Sequence, residues 1–176
     1  MKQKSSGPDE SPSETWRSAF FKQAKSDYHI FRVLNREGYP RCHQLHYLQM
    51  TTEKLAKGFF CAPESCRPPR PIHDAFVRFM QRAKKMSQIK NWCQMETHRY
   101  RNFIDGLLPI ARQIEKLAPK TDLFHPNPEY PFMEKKTNLV ISPVDYHFTS
   151  IPSLGPGKHP QMAKMLSFIE GCLKMA

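Results

Sequence analysis

The feature that most constrains this chain is a helical repeat of apolar residues that is interrupted by proline. From Trp16 to Leu117, apolar side chains recur at intervals of three and four residues, the spacing that places them on one face of an α-helix. Proline-rich stretches separate the periodic segments, and proline disfavours continuation of a helix. No two segments read as strands joined by a hairpin turn. The pattern therefore predicts an all-α fold, an up-and-down bundle of four or five helices.

The N-terminal part of the chain divides into a tail and two helices. Charge, serine and proline dominate residues 1–12, which predicts a disordered tail, and residues 13–176 are expected to form a single helical domain. Ser11 is placed to cap the first helix, and Gly38 is suited to end it. The second helix is expected to begin after Pro40.

Three further helices are predicted. One covers about residues 73–85, and a long one covers about residues 87–117 with Trp92 on its buried side. Pro109 lies inside the long helix and predicts a kink or a break, because proline removes one helical hydrogen bond. Residues 118–160 are rich in proline and lack periodicity. We expect them to form an irregular, proline-rich insertion that wraps across the bundle before the last helix.

The charge of the chain narrows the classes of partner. Lysine and arginine number 27 and the carboxylates 16, a net charge of +11, and the tail contributes nothing to this excess. Such a field attracts RNA, DNA, nucleotides or an acidic protein, and a merely solvated basic surface is the alternative. The best organised cations lie around the proline-rich loop, the third helix and the long helix: Arg67, Arg70, Arg78, Arg82, Lys85, Arg99 and Arg112.

Membrane, metal and cofactor partners are not expected. No stretch is apolar enough to span a bilayer, and the first residues lack the apolar core of a signal peptide, which predicts a cytoplasmic protein. An odd count of five cysteines then predicts reduced thiols. Cys61 and Cys66, with His73 nearby, lack the second pair of ligands that a zinc site needs.

One acidic residue falls on the apolar face of the first helix. Asp27 lies beside Tyr28 on that face, where an ionised carboxylate is costly unless it is paired. If the first two helices pack antiparallel, Lys54 or Lys57 reaches it. Two interpretations are open: a structural ion pair that sets the register of the helices, which we favour, and an interior site for a phosphate or a metal.

The second and third helices carry further polar candidates for a buried or binding site. Glu53 and Lys57 form an i,i+4 pair, and Gln49 lies one turn before Glu53. Gln49 is suited either to satisfy polar groups of the core or to line a pocket. His73 and Asp74 open the third helix, where they can form an acid/base pair or, as we favour, cap the helix.

Three segments together resemble the HEPN family of helical domains. They read AFFKQAKSDYHIFRVL, HQLHYLQMTTEKLAKGFF and IHDAFVRFM. They match an alanine and an aspartate-aromatic pair in the first helix, glutamine and glutamate-lysine in the second, and histidine-aspartate at the third. The likeness covers about residues 14–117. The segment HPNPEYPF is similar to a tyrosine-proline turn of such domains, and residues 133–160 look like an insertion relative to them.

The resemblance implies a helical bundle that is usually a homodimer. It also implies a setting, because HEPN domains are often encoded beside a minimal nucleotidyltransferase as a toxin–antitoxin pair, or occur in RNA-cleaving defence proteins. Catalytic members carry an arginine, a polar residue and, a few residues later, a histidine on a late helix. Arg101 and Asn102 match the first two residues here, but the positions for the histidine hold Gly106, Leu107 and Leu108.

Three hypotheses follow for the function. The first is a non-catalytic HEPN-like module, a homodimer that binds RNA, a nucleotide or a nucleotidyltransferase-like antitoxin partner through its basic surface. The second is a metal-independent endoribonuclease with a divergent site made of Arg101, Asn102 and a histidine such as His98, because histidine handles protons at neutral pH. The third is a scaffold subunit whose segment 118–160 docks on a larger assembly.

Overall fold

The computed structural model describes residues 15–62, 74–120, 122–154 and 159–176. Within these ranges the chain forms a bundle of six α-helices with one short pair of strands, so the all-α class is confirmed. The helices are α1 Trp16–Arg36, α2 Arg41–Phe60, α3 Ala75–Ala83, α4 Ser87–Cys93, α5 Thr97–Glu115 and α6 Pro160–Met175. The predicted tail and Ser11, Cys66, Arg67, Arg70 and His73 lie outside the described residues.

The helices α1 and α2 form an antiparallel hairpin. Thr15, and not Ser11, caps α1, because its hydroxyl oxygen accepts a hydrogen bond from the Ser18 backbone N–H at 3.3 Å. Gly38 follows the end of α1 with φ of +71°, a left-handed conformation that favours glycine. Near the other end, the Phe21 ring lies so close to Gly58 that a Cβ atom there would be 2.5 Å from it.

The helices α3 and α5 also run antiparallel. At the C-terminal end of α3, the Tyr100 hydroxyl donates to the Ala83 carbonyl oxygen at 2.7 Å. At its N-terminal end, Glu115 Oε1 accepts a hydrogen bond from the Val77 backbone N–H at 3.1 Å. The start of one helix therefore lies beside the end of the other. Tyr100 is fully buried and belongs to the core.

The long helix predicted over residues 87–117 is two helices, so the bundle has one segment more than expected. Gln94 has a left-handed backbone with φ of +52° and ends α4, and α5 begins at Thr97. The chain therefore breaks there, and α5 continues through Pro109. Pro109 is exposed, so the carbonyl group that it leaves without a helical partner lies on the solvent side.

The described residues between α5 and α6 are irregular apart from one small hairpin and a 3-10 turn. Strand β1, Phe132–Met133, pairs antiparallel with strand β2, Val140–Ile141, and a 3-10 turn follows at Pro143–Asp145. The hairpin was not expected, because strands of two residues are too short for alternation to appear in a sequence. Phe148, Ile151 and Leu154 are buried in the core, so this segment packs on the bundle.

Two tryptophans placed inward by the periodicity are more exposed than expected. Trp16, in the first turn of α1, is 41 % exposed, and Trp92 on α4 is 39 % exposed. Trp92 nevertheless covers Gly171 of α6, where a Cβ atom would be 2.0 Å from the indole ring. No helix within the described ranges has the length and apolarity needed to cross a bilayer.

Candidate functional site

The polar residue on the apolar face of α1 is buried in an ion pair. Asp27 is 4 % exposed, and its Oδ2 lies 2.6 Å from Nζ of Lys54 on α2. Its other oxygen accepts a hydrogen bond from Gln23 Nε2 at 2.9 Å. Lys54, and not Lys57, is thus the partner that the antiparallel packing provides. With both carboxylate oxygens occupied, the geometry supports a structural ion pair better than a ligand site.

Lys57 belongs to a second network on α2. Its Nζ lies 2.5 Å from Glu53 Oε1, and Gln49 Nε2 donates to Glu53 Oε2 at 2.9 Å. Burial alone would raise the pKa of Glu53, but hydrogen bonds from Lys57 and Gln49 and the charges of Lys57 and Lys54 hold this pKa below its ordinary value. Glu53 is therefore ionised at neutral pH and internally satisfied.

Glu115 is a half-buried polar residue that the sequence analysis did not identify as a candidate. It lines a small cavity together with Gln49 and Glu53, and it caps α3 from the end of α5. Burial raises the pKa of its carboxyl group, although the Val77 and Phe76 backbone N–H groups oppose this shift. No local motif signals such a cap, because Val77 and Glu115 are far apart in the chain.

Asp74 does not act as the predicted helix cap. It lies directly before α3, but its side chain makes no capping hydrogen bond. Its Oδ2 accepts instead from Arg78 Nε at 2.6 Å. The acid/base pair of His73 and Asp74 cannot be described, because His73 lies outside the described residues.

The three candidate catalytic residues lie together on α5. His98, Arg101 and Asn102 follow at i, i+3 and i+4, so they share one helix face, and all three are exposed. None of their side chains forms a hydrogen bond with another described residue. The face is therefore open to solvent on this side of α5.

The basic residues of α3 and α5 divide between two flanks of α5. The flank that faces α3 is marked by Asp105, which pairs with Lys84, and by Glu115, which caps α3. Arg101 lies one turn before Asp105, and Arg112 lies one turn before Glu115, so both arginines are on this flank.

Arg99 lies on the opposite flank, away from the other predicted cations. It is one turn before Phe103, whose ring is 6.3 Å from that of Phe168 on α6. Arg99 therefore faces the α6 side, and it is separated from the cations beside α3. We use the name α3–α5 surface for the basic residues of α3 and its C-terminal end together with those on the flank of α5 that faces α3: Arg78, Arg82, Lys84, Lys85, Arg101 and Arg112.

Three of the six cations of the α3–α5 surface contact neighbouring side chains. Arg78 pairs with Asp74, Lys84 pairs with Asp105, and the Arg82 guanidinium lies over the Phe60 ring at 4.7 Å from its centroid. The other three cations, Lys85, Arg101 and Arg112, are exposed and have no carboxylate partner among the described residues. Within the described part of the chain, no carboxylate neutralises these three cations, so their charge can attract an anionic ligand.

The thiols and potential metal ligands of the described residues do not form a site. Cys42, Cys61 and Cys172 are buried and Cys93 is half-buried, all as free thiols. Burial raises the pKa of each thiol, which disfavours the reactive thiolate. Over the described ranges, no three histidine, cysteine, aspartate or glutamate side chains come together to hold a metal ion.

Comparisons with known proteins add no further constraint on this site. No family model matches the chain, and neither a curated protein nor a solved structure is found to be similar to it. The role of the α3–α5 surface must therefore be inferred from its own charge, exposure and geometry.

Proposed function

We propose that this chain is a non-catalytic, HEPN-like helical module that binds RNA through the α3–α5 surface, in a toxin–antitoxin or defence setting. One observation carries the proposal: Arg101 and Arg112 share the flank of α5 that faces α3, and they and Lys85 are exposed and have no carboxylate partner among the described residues of a chain with net charge +11. Unpaired lysine and arginine side chains are the groups that contact phosphates. A homodimer is part of the proposal and rests on the resemblance alone.

The absence of a histidine after Arg101 supports a binding role over a catalytic one. Gly106 is exposed, and Leu107 and Leu108 are buried in the core, so these positions offer no proton-transfer group beside Arg101. The surface can therefore hold a phosphate backbone without the general acid or base that cleavage requires.

Charge-matched variants test the binding surface. The test variant, Lys85→Gln/Arg101→Gln/Arg112→Gln, removes three cations of the α3–α5 surface. The control variant, Arg36→Gln/Lys164→Gln/Lys174→Gln, removes three cations that lie elsewhere. Fluorescence anisotropy with a short single-stranded RNA at several salt concentrations measures the RNA affinity of both variants. We expect the first variant to bind about tenfold more weakly and with a smaller salt slope, because each phosphate contact releases counterions.

The control variant should bind RNA almost as the unmodified chain does. Equal losses of RNA affinity in both variants would mean that binding depends on net charge and not on this surface. If the unmodified chain binds no RNA at low salt but retains a nucleotidyltransferase-like protein or a larger assembly, the RNA proposal is wrong and the partner or scaffold hypothesis replaces it.

A ribonuclease is the second candidate function, because His98, Arg101 and Asn102 share one exposed face of α5. Incubation of the purified chain with total RNA tests this candidate beside Arg101→Ala and His98→Ala. Cleavage that both substitutions abolish would establish catalysis. Cleavage that survives both would indicate a contaminating nuclease, and no cleavage supports the binding module.

A further inference from the structure

A groove opens on the flank of α5 that faces α6, away from the α3–α5 surface. It has a volume of about 230 Å³, and the residues that line it include Trp92, Cys93, Met95, Phe103, Lys164 and Ser167. We call it the α4–α6 groove. Its volume lies below the range of about 300–1,000 Å³ that is typical of small-molecule sites. The groove is therefore closer in size to one large side chain than to a drug-sized ligand.

The accessible wall of the groove is apolar and largely aromatic. Trp92 is 39 % exposed, and Cys93, Met95 and Phe103 are half-buried, so each of these lining side chains keeps surface in contact with water. The Phe103 ring lies 6.3 Å from the ring of Phe168, which is buried and fixes one side of the groove. A docked apolar side chain would remove this surface from water, and such anchors contribute most of the binding energy in protein interfaces.

The groove holds few groups that could pair with the edge of a nucleobase. Ser167, Lys164 and the indole N–H of Trp92 supply the polar side-chain groups of its lining, beside the weakly polar Cys93 thiol. None of its described lining residues has a side-chain amide or carboxylate. A base enclosed there would leave polar groups of its edge without partners, which is unfavourable, whereas an apolar side chain has none to satisfy.

Two cations flank this apolar wall. Lys164 lines the groove and is exposed. Arg99 is exposed as well and lies one turn before Phe103 on the flank of α5 that faces α6. Neither cation forms an ion pair with a described residue. Their charge is therefore available to carboxylates of a ligand.

Carboxylates of this chain are scarce around the groove. Glu96 is the only one in the segment 87–104, and Glu170, the only one of α6, is paired with Arg32. The groove thus combines an apolar pocket with a positive rim, which complements an acidic partner. A second copy of this chain would bring a further +11 of charge to the same rim, so self-association at this groove is disfavoured.

We propose that the α4–α6 groove docks an acidic segment of a partner protein, which inserts one bulky apolar side chain. The inserted side chain packs against Trp92 and Phe103, and carboxylates on either side of it contact Arg99 and Lys164. This site is separate from the α3–α5 surface and does not depend on RNA binding there.

Short fluorescein-labelled peptides test the kind of partner. The first has a central phenylalanine between runs of glutamate and alanine, the second has alanine in place of the phenylalanine, and the third has lysine in place of the glutamates. In fluorescence anisotropy with the full chain at low salt, the first should bind, the second should bind at least about tenfold more weakly, and the third should not bind. Equal affinity for the first two peptides, binding of the third or no binding of the first would overturn the proposal.

Variants of the chain test the place of binding. Arg99→Gln/Lys164→Gln should weaken binding of the phenylalanine peptide about tenfold, because two charge-assisted contacts are lost. Ser167→Trp places a bulky side chain in the groove and should weaken binding at least as much, and circular dichroism checks that each variant is folded. The control Arg36→Gln/Lys120→Gln removes the same charge elsewhere and should bind as the unmodified chain does. Peptide binding that survives both groove variants, or that the control loses equally, would contradict the proposal.

A short single-stranded RNA serves as the competitor. If RNA displaces the peptide and binds about tenfold more weakly to Ser167→Trp, the groove holds RNA and the partner-protein proposal is wrong. RNA that leaves the peptide bound supports the proposal. If the chain binds the peptide but no RNA, the groove proposal stands and the RNA proposal for the α3–α5 surface fails, so the two can be distinguished.

Discussion

The interface between α1 and α2 and the α3–α5 surface use the same residue types in opposite ways. At the interface, Asp27 is buried and both of its carboxylate oxygens have partners, Lys54 and Gln23. On the surface, Arg101 and Arg112 are exposed and lack a carboxylate partner within the described ranges. The first arrangement uses charge to position helices, and the second leaves charge available to a ligand.

The difference shows how burial decides what a charged side chain does. A buried charge must be paired, because the free energy lost by desolvation is greater than a poorly oriented contact recovers. The geometry of a buried pair is therefore well defined, and removal of one partner destabilises the fold. An exposed charge contributes little to stability and is free to steer and hold an anion. Substitutions in the two regions should therefore affect different measurements.

The largest effect on stability is expected at the buried pair. Asp27→Ala leaves Lys54 without its partner in a site where Lys54 is only 19 % exposed, and should lower the free energy of unfolding by about 3 kcal/mol. Urea unfolding measures this change. The double variant Asp27→Leu/Lys54→Met should recover much of the loss, because it removes both charges. If Asp27→Ala is as stable as the unmodified chain, the pair does not set the helix packing.

A smaller effect, with opposite pH dependences, is expected at Glu53 and Glu115. The pKa of Glu53 is lowered, so its ionised form stabilises the fold above the ordinary carboxyl pKa and this contribution is lost as the pH falls. The pKa of Glu115 is raised by burial, so its ionisation costs stability as the pH rises. Glu53→Gln should thus cost about 1 kcal/mol at neutral pH and less in acid.

Glu115→Gln should show the reverse trend. Its stability relative to the unmodified chain should rise from about pH 4 to pH 7, since glutamine can still accept the Val77 hydrogen bond without an ionised form to desolvate. Urea unfolding at both pH values measures the free energy of unfolding of the two variants and of the unmodified chain. Parallel trends in the two variants would show that the carboxylates do not differ in environment.

The smallest effect on stability is expected on the α3–α5 surface. Lys85→Gln/Arg101→Gln/Arg112→Gln should change the free energy of unfolding by less than about 1 kcal/mol, because exposed and unpaired charges add little to the fold. The same variant is expected to lose RNA affinity, so stability and binding separate. A large loss of stability would mean that these side chains contribute to packing. The α3–α5 surface would then not differ from the buried pair of Asp27 and Lys54 in its effect on stability.

Predictions that rest on local chemistry agree with the structure more closely than those that rest on distant contacts. Gly38 and Pro40 place the turn between α1 and α2, since a left-handed glycine and a proline act within a few residues. Pro109, by contrast, predicts a kink or a break, and the break in the chain lies instead at Gln94, while α5 continues through Pro109. An exposed proline is tolerated inside a helix, and the amino-acid order alone does not reveal which positions are exposed.

Predictions about the candidate site also differ according to whether they rest on local chemistry or on distant contacts. That Asp27 needs a basic partner on the second helix follows from its position on an apolar face, and Lys54 is that partner. The separation of Arg99 from Arg101 and Arg112, and the cap that Glu115 provides, depend on which flank of α5 packs on α3. The resemblance to HEPN domains, and the dimer and setting that it implies, stay predictions.

The amino-acid sequence by itself determined the helical class, the cationic balance and the need to neutralise a carboxylate on an apolar face, because periodicity, net charge and desolvation cost are properties of the residues. Only the tertiary structure decided which cations share a surface, which carboxylates pair with them and where the α4–α6 groove lies. Those outcomes depend on contacts between residues distant in the chain, whose geometry is set by packing of the whole bundle.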